Sequence, residues 1–269
     1  MRIAALSDIH GNLPALEAVL AEIGRERVDV VVNLGDILSG PLWPAETAEL
    51  LMQPRPAGRP WVTIAGNHER QMLAATGRSL AEDSTDSDVL AARATTPAQQ
   101  GWLHALPAGQ RFGDGRGGQV LLTHGTPLVD HEPLLETVTG GAVPGIRAAL
   151  PHELMSRIGD AVPVDTTLVL CGHSHLPRVL ALDGVLFVNP GSVGLQAYDH
   201  DQPHDHVVEN GSPHARWALL EHTAHFGWQV QQRLTAYGWR AAAARAESQG
   251  RPDWADALLT GRVGRRQAG

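Results

Sequence analysis

The feature that most constrains the fold is a repeated pattern in which a short apolar run ends at a turn containing glycine. Such runs occupy residues 2–7, 29–34 and 60–65. Between the first two runs, apolar residues recur at helical spacing behind Pro14, as they do in an amphipathic helix. The alternation predicts a βαβαβ unit, and therefore a parallel sheet at the start of the chain.

The rest of the chain is predicted to continue this α/β organisation. Residues 119–123, 167–170 and 185–188 are further strand candidates because each is a short apolar run bounded by turn residues. No linker rich in proline, glycine or serine separates these parts, and no internal repeat is visible. The simplest interpretation is a single domain over residues 1–269.

Four segments are predicted to be additions to this core. Residues 70–110 and 128–165 are interpreted as helical insertions. Residues 217–221 and 228–234 flank a Phe-Gly turn and predict an antiparallel hairpin. A weak amphipathic pattern predicts a final helix over residues 240–259.

Polar side chains stand just beyond the carboxyl ends of five predicted strands, at the edge where open α/β sheets bind ligands. Any one of these turns is typical of an ordinary surface turn, but carboxylate, imidazole and carboxamide groups together form a ligand set that suits Mn²⁺, Fe or Zn²⁺. The joint pattern therefore predicts a metal centre. The residues are Asp8, His10, Asp36, Asn67, His68, His124, His173 and His175.

Composition excludes several other chemistries. All 21 basic residues are arginine, so neither a P-loop nor a Schiff-base lysine can be present. Cys171 is the single cysteine, which excludes an internal disulfide. The net charge of −8 argues against an extended nucleic-acid surface.

No apolar run approaches the ~20 residues that cross a membrane, and an acidic residue near the start disfavours a signal peptide. A cytoplasmic protein is therefore expected.

The order of the polar motifs resembles that of the calcineurin-like metallophosphoesterases. The resemblance covers residues 1 to about 194, and the stretch 189–194 is similar to a loop of the small bacterial phosphodiesterase members. It implies a four-layer αββα sandwich with a dinuclear metal site at the carboxyl edge of the strands. The motifs are Asp8-Ile9-His10-Gly11-Asn12, Gly35-Asp36, Gly66-Asn67-His68-Glu69, Thr123-His124-Gly125 and Gly172-His173-Ser174-His175.

The resemblance also implies a role for each residue of these motifs. Two divalent transition-metal ions are expected, with Mn²⁺ favoured and Fe, Zn, Ni or Co as alternatives. A carboxylate has two oxygens and can bridge two ions. The first ion would be held by Asp8, His10 and His175, the second by Asn67, His124 and His173, and both by Asp36.

His68 is left without an ion and is the candidate catalytic residue. It would protonate the leaving oxygen while a hydroxide shared by the two ions attacks phosphorus. The alternative interpretation is a structural histidine bonded to a backbone carbonyl. Arg2, Arg70 and Arg178 are candidates for phosphate contacts, but surface arginine is the default interpretation and none is selected.

The function expected from this resemblance is hydrolysis of small phosphodiesters. A phosphomonoesterase or protein phosphatase is the alternative, although residues 35–40 lack the arginine of the phosphatase motif Gly-Asp-x-Val-Asp-Arg-Gly. A non-catalytic binding scaffold is disfavoured because every ligand position matches. The expected partner is a small phosphate ester, and homo-oligomerisation is left open. The His- and Asp-rich residues 199–206 are interpreted as a solvated loop rather than a third metal site.

Overall fold

A computed structural model describes residues 1–54, 60–76, 84–140 and 145–264. The described residues form fourteen strands and eight helices. The strands are β1 (Arg2–Leu6), β2 (Val30–Asn33), β3 (Trp61–Thr63), β4 (Gly109–Gly113), β5 (Gln119–Thr123), β6 (Glu136–Thr139), β7 (Gly145–Ala148), β8 (Thr166–Leu170), β9 (Arg178–Leu182), β10 (Val185–Asn189), β11 (Ala197–His200), β12 (His206–Glu209), β13 (Ala215–Thr223) and β14 (Gly227–Thr235).

Helices alternate with strands in the first third of the chain, and two helices are the last elements of the described chain. They are α1 (Leu13–Ile23), α2 (Pro44–Met52), α3 (Asn67–Ala75), α4 (Ser87–Ala94), α5 (Pro97–His104), α6 (Pro151–Ile158), α7 (Trp239–Ser248) and α8 (Pro252–Thr260). Within the described residues, no helix is long and apolar enough to cross a membrane.

Two five-stranded sheets form the centre of the molecule. The first has the order β14-β13-β1-β2-β3, and its strands β1, β2 and β3 run parallel. The second has the order β4-β5-β8-β10-β9, with β5, β8 and β10 parallel. The predicted βαβαβ opening and the β13–β14 hairpin are therefore confirmed.

The two sheets pack face to face, with helices on their outer faces. Ile3 and Ala5 of β1 lie in the cluster between the sheets, against residues of β5, β8 and β10, whereas Ala4 and Leu6 face helix α1 and its neighbours. Helix α6 covers the outer face of the second sheet through Leu154 and Ile158. This α/β arrangement of layers agrees with the predicted fold class. It explains why residues 3–6 of β1 are all apolar, since both faces of the strand are buried there.

The prediction of a helical insertion over residues 128–165 was incomplete. Strands β6 and β7 pair as an antiparallel ribbon in this segment, and α6 is the one helix there among the described residues. The sequence of β6, Glu-Thr-Val-Thr, contains three consecutive β-branched residues, and such residues favour strands. The other predicted insertion, over residues 70–110, contains the helices α4 and α5 and most of α3. Its residues 77–83 lie outside the described residues.

Two further predictions near the carboxyl terminus are corrected. Residues 240–259 do not form one helix, because the chain breaks at Gly250, whose φ is +74°, and Pro252 starts α8. Residues 199–206 are predicted to form a loop, but the structure places strand residues at both ends of this segment. Asp199 and His200 end β11 and His206 begins β12, and these two strands pair antiparallel.

Candidate metal centre

The turns that follow the strands position the polar side chains in an unusual backbone conformation. Asp8, His10, Asp36, His173 and His175 all have φ between +51° and +68°. Among the described residues, one other non-glycine residue has positive φ. This left-handed conformation costs roughly 1–2 kcal/mol for each residue with a Cβ. Its concentration at one edge of the sheets is typical of a functional site.

Backbone contacts lock these turns against one another. The amide of Asp8 donates to the carbonyl of Gly35 at 3.0 Å, and the amide of Gly172 donates to the carbonyl of His124 at 2.7 Å. A Cβ at Gly35 would collide with the backbone of Gly66. Glycine is therefore needed where the turns after β2 and β3 meet.

One candidate ligand group consists of Asp8, His10 and His175, all of which are buried. The Nε2 atoms of His10 and His175 lie 3.1 Å apart, and His175 Nε2 lies 3.5 Å from Asp8 Oδ1. One ligand atom from each side chain lies within 4.8 Å of the others. The group therefore has the composition and spacing of a three-ligand cation site.

The hydrogen bonds of the two imidazoles show that a cation fits this group. His10 Nδ1 donates to the carbonyl of Ser39 at 2.8 Å, and His175 Nδ1 donates to the carbonyl of Leu195 at 2.8 Å. Burial lowers the pKa of His10 to about 4 and the pKa of His175 well below its ordinary value. Both rings are then neutral at pH 7, so two Nε2 lone pairs face each other and repel. A cation between them removes this repulsion, and Nδ1–H bonds to carbonyls are usual for metal-binding histidines.

The second candidate group consists of Asp36, His124 and His173. His124 Nε2 lies 3.0 Å from Asp36 Oδ2, while its Nδ1 donates to the carbonyl of Leu34 at 2.7 Å. His173 Nδ1 lies 3.0 Å from Asn67 Oδ1, which brings the carboxamide to the same group.

The charges of this second group are strongly coupled. Burial by itself lowers the pKa of His124, but the Asp36 carboxylate raises it to about 10. Burial raises the pKa of Asp36, yet His124 and His68 hold it well below its ordinary value. A positive charge at His124 Nε2, whether a proton or a metal ion, is therefore strongly favoured by Asp36.

Glu69 supports the centre without reaching it. Its buried carboxylate accepts hydrogen bonds from the amides of Asp36, Ile37 and Gly66 at 2.7–2.8 Å. The carboxylate thus ties the turn after β2 to the start of α3. Sequence reasoning did not assign Glu69 a role, although it belongs to one of the motifs quoted above.

His68 lies beside the two groups, at the start of α3. Its Nδ1 lies 2.9 Å from Asp88 Oδ1, and its ring is 5.5 Å from that of His10 in an edge-to-face arrangement. The side chain is 31% exposed, so it is open to a ligand. Although burial lowers the pKa of His68, Asp36 and the hydrogen bond with Asp88 raise it to about 9. Its side chain is thus bonded to a carboxylate, not to a backbone carbonyl.

Two aromatic side chains from later in the chain pack on the first group. Trp254 of α8 contacts His10 edge to face at 5.7 Å, and Tyr198 of β11 contacts His175 edge to face at 4.9 Å. Sequence reasoning missed Asp88, Tyr198 and Trp254, since none of them lies in a recognisable motif.

The structure brings all eight predicted site residues to one edge of the sheets. In the ranges that the structure describes, no third group of three His, Cys, Asp or Glu side chains lies at metal-binding distance. The His- and Asp-rich residues 199–206 therefore form no further cluster of this kind.

Comparison with known proteins agrees with this arrangement. The sequence profile of the calcineurin-like phosphoesterase superfamily domain matches residues 1–209. The chain belongs to this superfamily. It is accordingly a metallophosphoesterase, a phosphoester hydrolase of a metal-dependent family, and the resemblance found in the motifs is confirmed. Strands β13 and β14 and helices α7 and α8 lie beyond the matched residues.

Individual relatives add evidence on the fold. The chain is 26% identical to the uncharacterized protein MJ0912 of Methanocaldococcus jannaschii over 214 residues, which are 78% of this chain and 75% of that one. A metallophosphoesterase crystal structure from Sphaerobacter thermophilus covers 97% of this chain and 100% of its own, with a TM-score of 0.68 and 24% identity. The crystal structure of the hypothetical protein PH1004 of Pyrococcus horikoshii OT3 covers 98% of this chain and 99% of its own, with a TM-score of 0.71 and 16% identity. At these identities, the two crystal structures show the shared fold alone.

Proposed function

We propose that the chain hydrolyses small phosphodiesters and that two divalent metal ions serve the reaction. The observation that carries the proposal is the pair of facing Nε2 atoms in His10 and His175, which cannot bond each other and fit a cation. Mn²⁺ is the favoured ion, with Fe, Zn, Ni and Co as alternatives. Its ligands at the first position would be Asp8, His10 and His175.

The second ion would be held by Asn67, His124 and His173, with Asp36 between the two positions. Asp36 is suited to bridging because it lies near His124 and has two carboxylate oxygens. When bound, two such ions polarise the phosphoryl oxygens and activate a water for attack on phosphorus. The buried ligands exclude bulk water and keep the donor atoms in place.

His68 would assist departure of the leaving oxygen. With Nδ1 held by Asp88, the ring presents Nε2 as its remaining proton-carrying atom. The Asp88 carboxylate stabilises the doubly protonated ring, as the aspartate of a catalytic triad does for its histidine. His68 is then a general acid and Asp88 a positioning residue.

Substitution of Asp88 by asparagine is expected to lower kcat on a diester with a poor, alkyl leaving group by about ten- to a hundredfold. A hydrogen bond to a charged group contributes roughly 1.5–3 kcal/mol, and each 1.4 kcal/mol is a factor of ten. On a diester with a good leaving group, such as p-nitrophenolate, the loss is expected to be much smaller. Steady-state kinetics on the two substrates, with Asp160→Asn at an exposed position as control, measures the difference. Equal losses on both substrates would contradict the proposed role of Asp88.

Diesters are favoured over monoesters because the turn after Asp36 provides no extra cation. Residues 37–40 contain no arginine, and Gly40 of this stretch approaches the ring of Trp254 too closely to carry a side chain. A monoester has up to two negative charges and gains more than a diester from an added cation. A phosphomonoesterase or protein phosphatase is the second candidate function.

An aryl phosphodiester is expected to show a higher kcat/KM than the matching monoester in the presence of Mn²⁺. The leaving group is the same in both substrates, so the ratio reports recognition of the second ester arm. Colorimetric release of the phenolate measures both rates under one set of conditions. A reproducible advantage of about tenfold for the monoester would contradict the diester proposal and favour the phosphatase function.

A further inference from the structure

Of the three arginines considered as phosphate contacts, Arg2 lies far from the candidate centre, and Arg178 is held by a buried carboxylate. Arg2 pairs with Glu26 and Glu221 at the amino end of β1, which is the opposite end from the centre. Arg178 donates from Nε to the buried carboxylate of Glu136 at 2.7 Å. Arg70 is the remaining candidate of the three.

Arg70 lies beside the second ligand group. It is on α3 one turn after Asn67, and residues three apart lie on the same face of a helix. Its side chain is 59% exposed. The hydrogen bond with Asp130 raises the pKa of Arg70, and the charge of Asp36 acts in the same direction. The guanidinium is therefore within electrostatic reach of the candidate centre.

Asp130 engages this guanidinium through both of its oxygens. Arg70 Nη2 donates to Asp130 Oδ1 at 2.8 Å and to Oδ2 at 2.9 Å, and Nε donates to Oδ2 at 3.1 Å. Paired Arg–carboxylate bonds of this kind occupy the same donor fork that binds phosphate. As long as the pair is formed, the N–H groups of Arg70 that bind Asp130 are not free to bind a substrate phosphate.

The backbone fixes Asp130 relative to the centre. Its loop follows His124 and folds back on Gly125, where a Cβ would lie 2.6–2.7 Å from three carbonyl oxygens of the loop, including that of Asp130. The amide of Thr126 also donates to the carbonyl of Val129 at 3.0 Å. The carboxylate of Asp130 is thus attached to a loop that packs tightly behind His124.

We propose that Asp130 holds Arg70 away from the substrate phosphate and thereby makes the centre select diesters over monoesters. The inference rests on the proposed phosphoesterase function. A monoester dianion carries one more charge than a diester, and a free Arg70 would bind that charge. With Asp130 present, the monoester dianion faces an Arg70–Asp130 pair whose charges cancel, and a carboxylate lies nearby. The additional negative charge of the monoester therefore gains no cationic partner.

The test compares wild type with Asp130→Asn in the presence of Mn²⁺. The ratio of kcat/KM for an aryl monoester to that for the matching diester is expected to rise about tenfold, as one added charge-assisted hydrogen bond provides. Inorganic phosphate at pH about 8, where it is mainly dianionic, is expected to bind the variant about tenfold more tightly by calorimetry. The double variant Arg70→Gln/Asp130→Asn is expected to lose both gains.

Glu221→Gln is the matched control, because it removes the same charge from an exposed ion pair at the far end of the first sheet. Its ester ratio and phosphate affinity are expected to equal those of wild type. An unchanged ratio in Asp130→Asn, or a gain that persists in the double variant, would overturn the inference while wild-type activity stands. A wild-type enzyme that hydrolyses neither ester would instead overturn the proposed function, and this inference with it.

Discussion

Replacing Asp36 by asparagine is expected to remove bound metal and phosphoesterase activity together. The substitution keeps the shape of the side chain but removes the charge that lies 3.0 Å from His124 Nε2. Loss of a residue that only supports a ligand weakens metal binding or activity by about 10- to 100-fold, and loss of a shared ligand is expected to exceed that. Metal analysis and kcat/KM of the same purified sample measure both effects.

Asp183→Asn is the matched control for this experiment. Asp183 also has positive φ, at +50°, but it is exposed at the turn between β9 and β10. Asparagine tolerates this backbone conformation, so the control variant is expected to keep metal and activity. Full metal content in Asp36→Asn would show that Asp36 is not a shared ligand.

His68→Ala is expected to retain both ions and to lose turnover by a factor on the order of 10² to 10⁴, the usual contribution of a general acid. The physical reason is that His68 lies beside the two ligand groups but bonds Asp88 instead of joining either group. Kinetics on a diester with a poor leaving group, together with metal analysis, measures the effect.

The control for this variant is His104→Ala, at an exposed position near the end of α5. It removes the same kind of side chain away from the centre and is expected to leave turnover unchanged. Nearly full activity of His68→Ala on the poor leaving group would contradict the assigned role. Loss of metal in His68→Ala would contradict it in a different way, since His68 would then support the ions.

The residues of the candidate site were predictable because each strand end carries its own local signal. Asp8, Asp36 and His124 each lie within two residues of the end of an apolar run, and parallel strands bring their carboxyl ends to one edge. The neighbouring glycines allow the close approach of turns, as Gly35 does against Gly66. Local sequence and global topology therefore point to the same edge.

The partners of these residues were not predictable from local patterns. Asp88 reaches His68 from another helix, and Trp254 reaches His10 from the end of the chain. Neither contact has a characteristic spacing, because both depend on how distant helices pack. Glu69 could have been found from its position in a motif, but its three backbone hydrogen bonds appear only in the folded chain.

The errors in the fold have a similar cause. Strands β6, β7, β11 and β12 pair in small two-stranded sheets outside the main core, so their sequences carry no long apolar run. Residues 199–206 are rich in charged and imidazole side chains, and their polarity resembles that of a loop. Pairing with a partner strand, not burial, orders them, and single-sequence periodicity does not detect such pairing.

Metal content of the purified full chain tests the central claim most directly. Elemental analysis after growth or dialysis with Mn²⁺ is expected to find two transition-metal ions per chain, one for each ligand group. The group that contains His10 and His175 would hold one ion, and the group that contains Asp36 and His124 would hold the other. At most a trace of metal under these conditions would contradict the account.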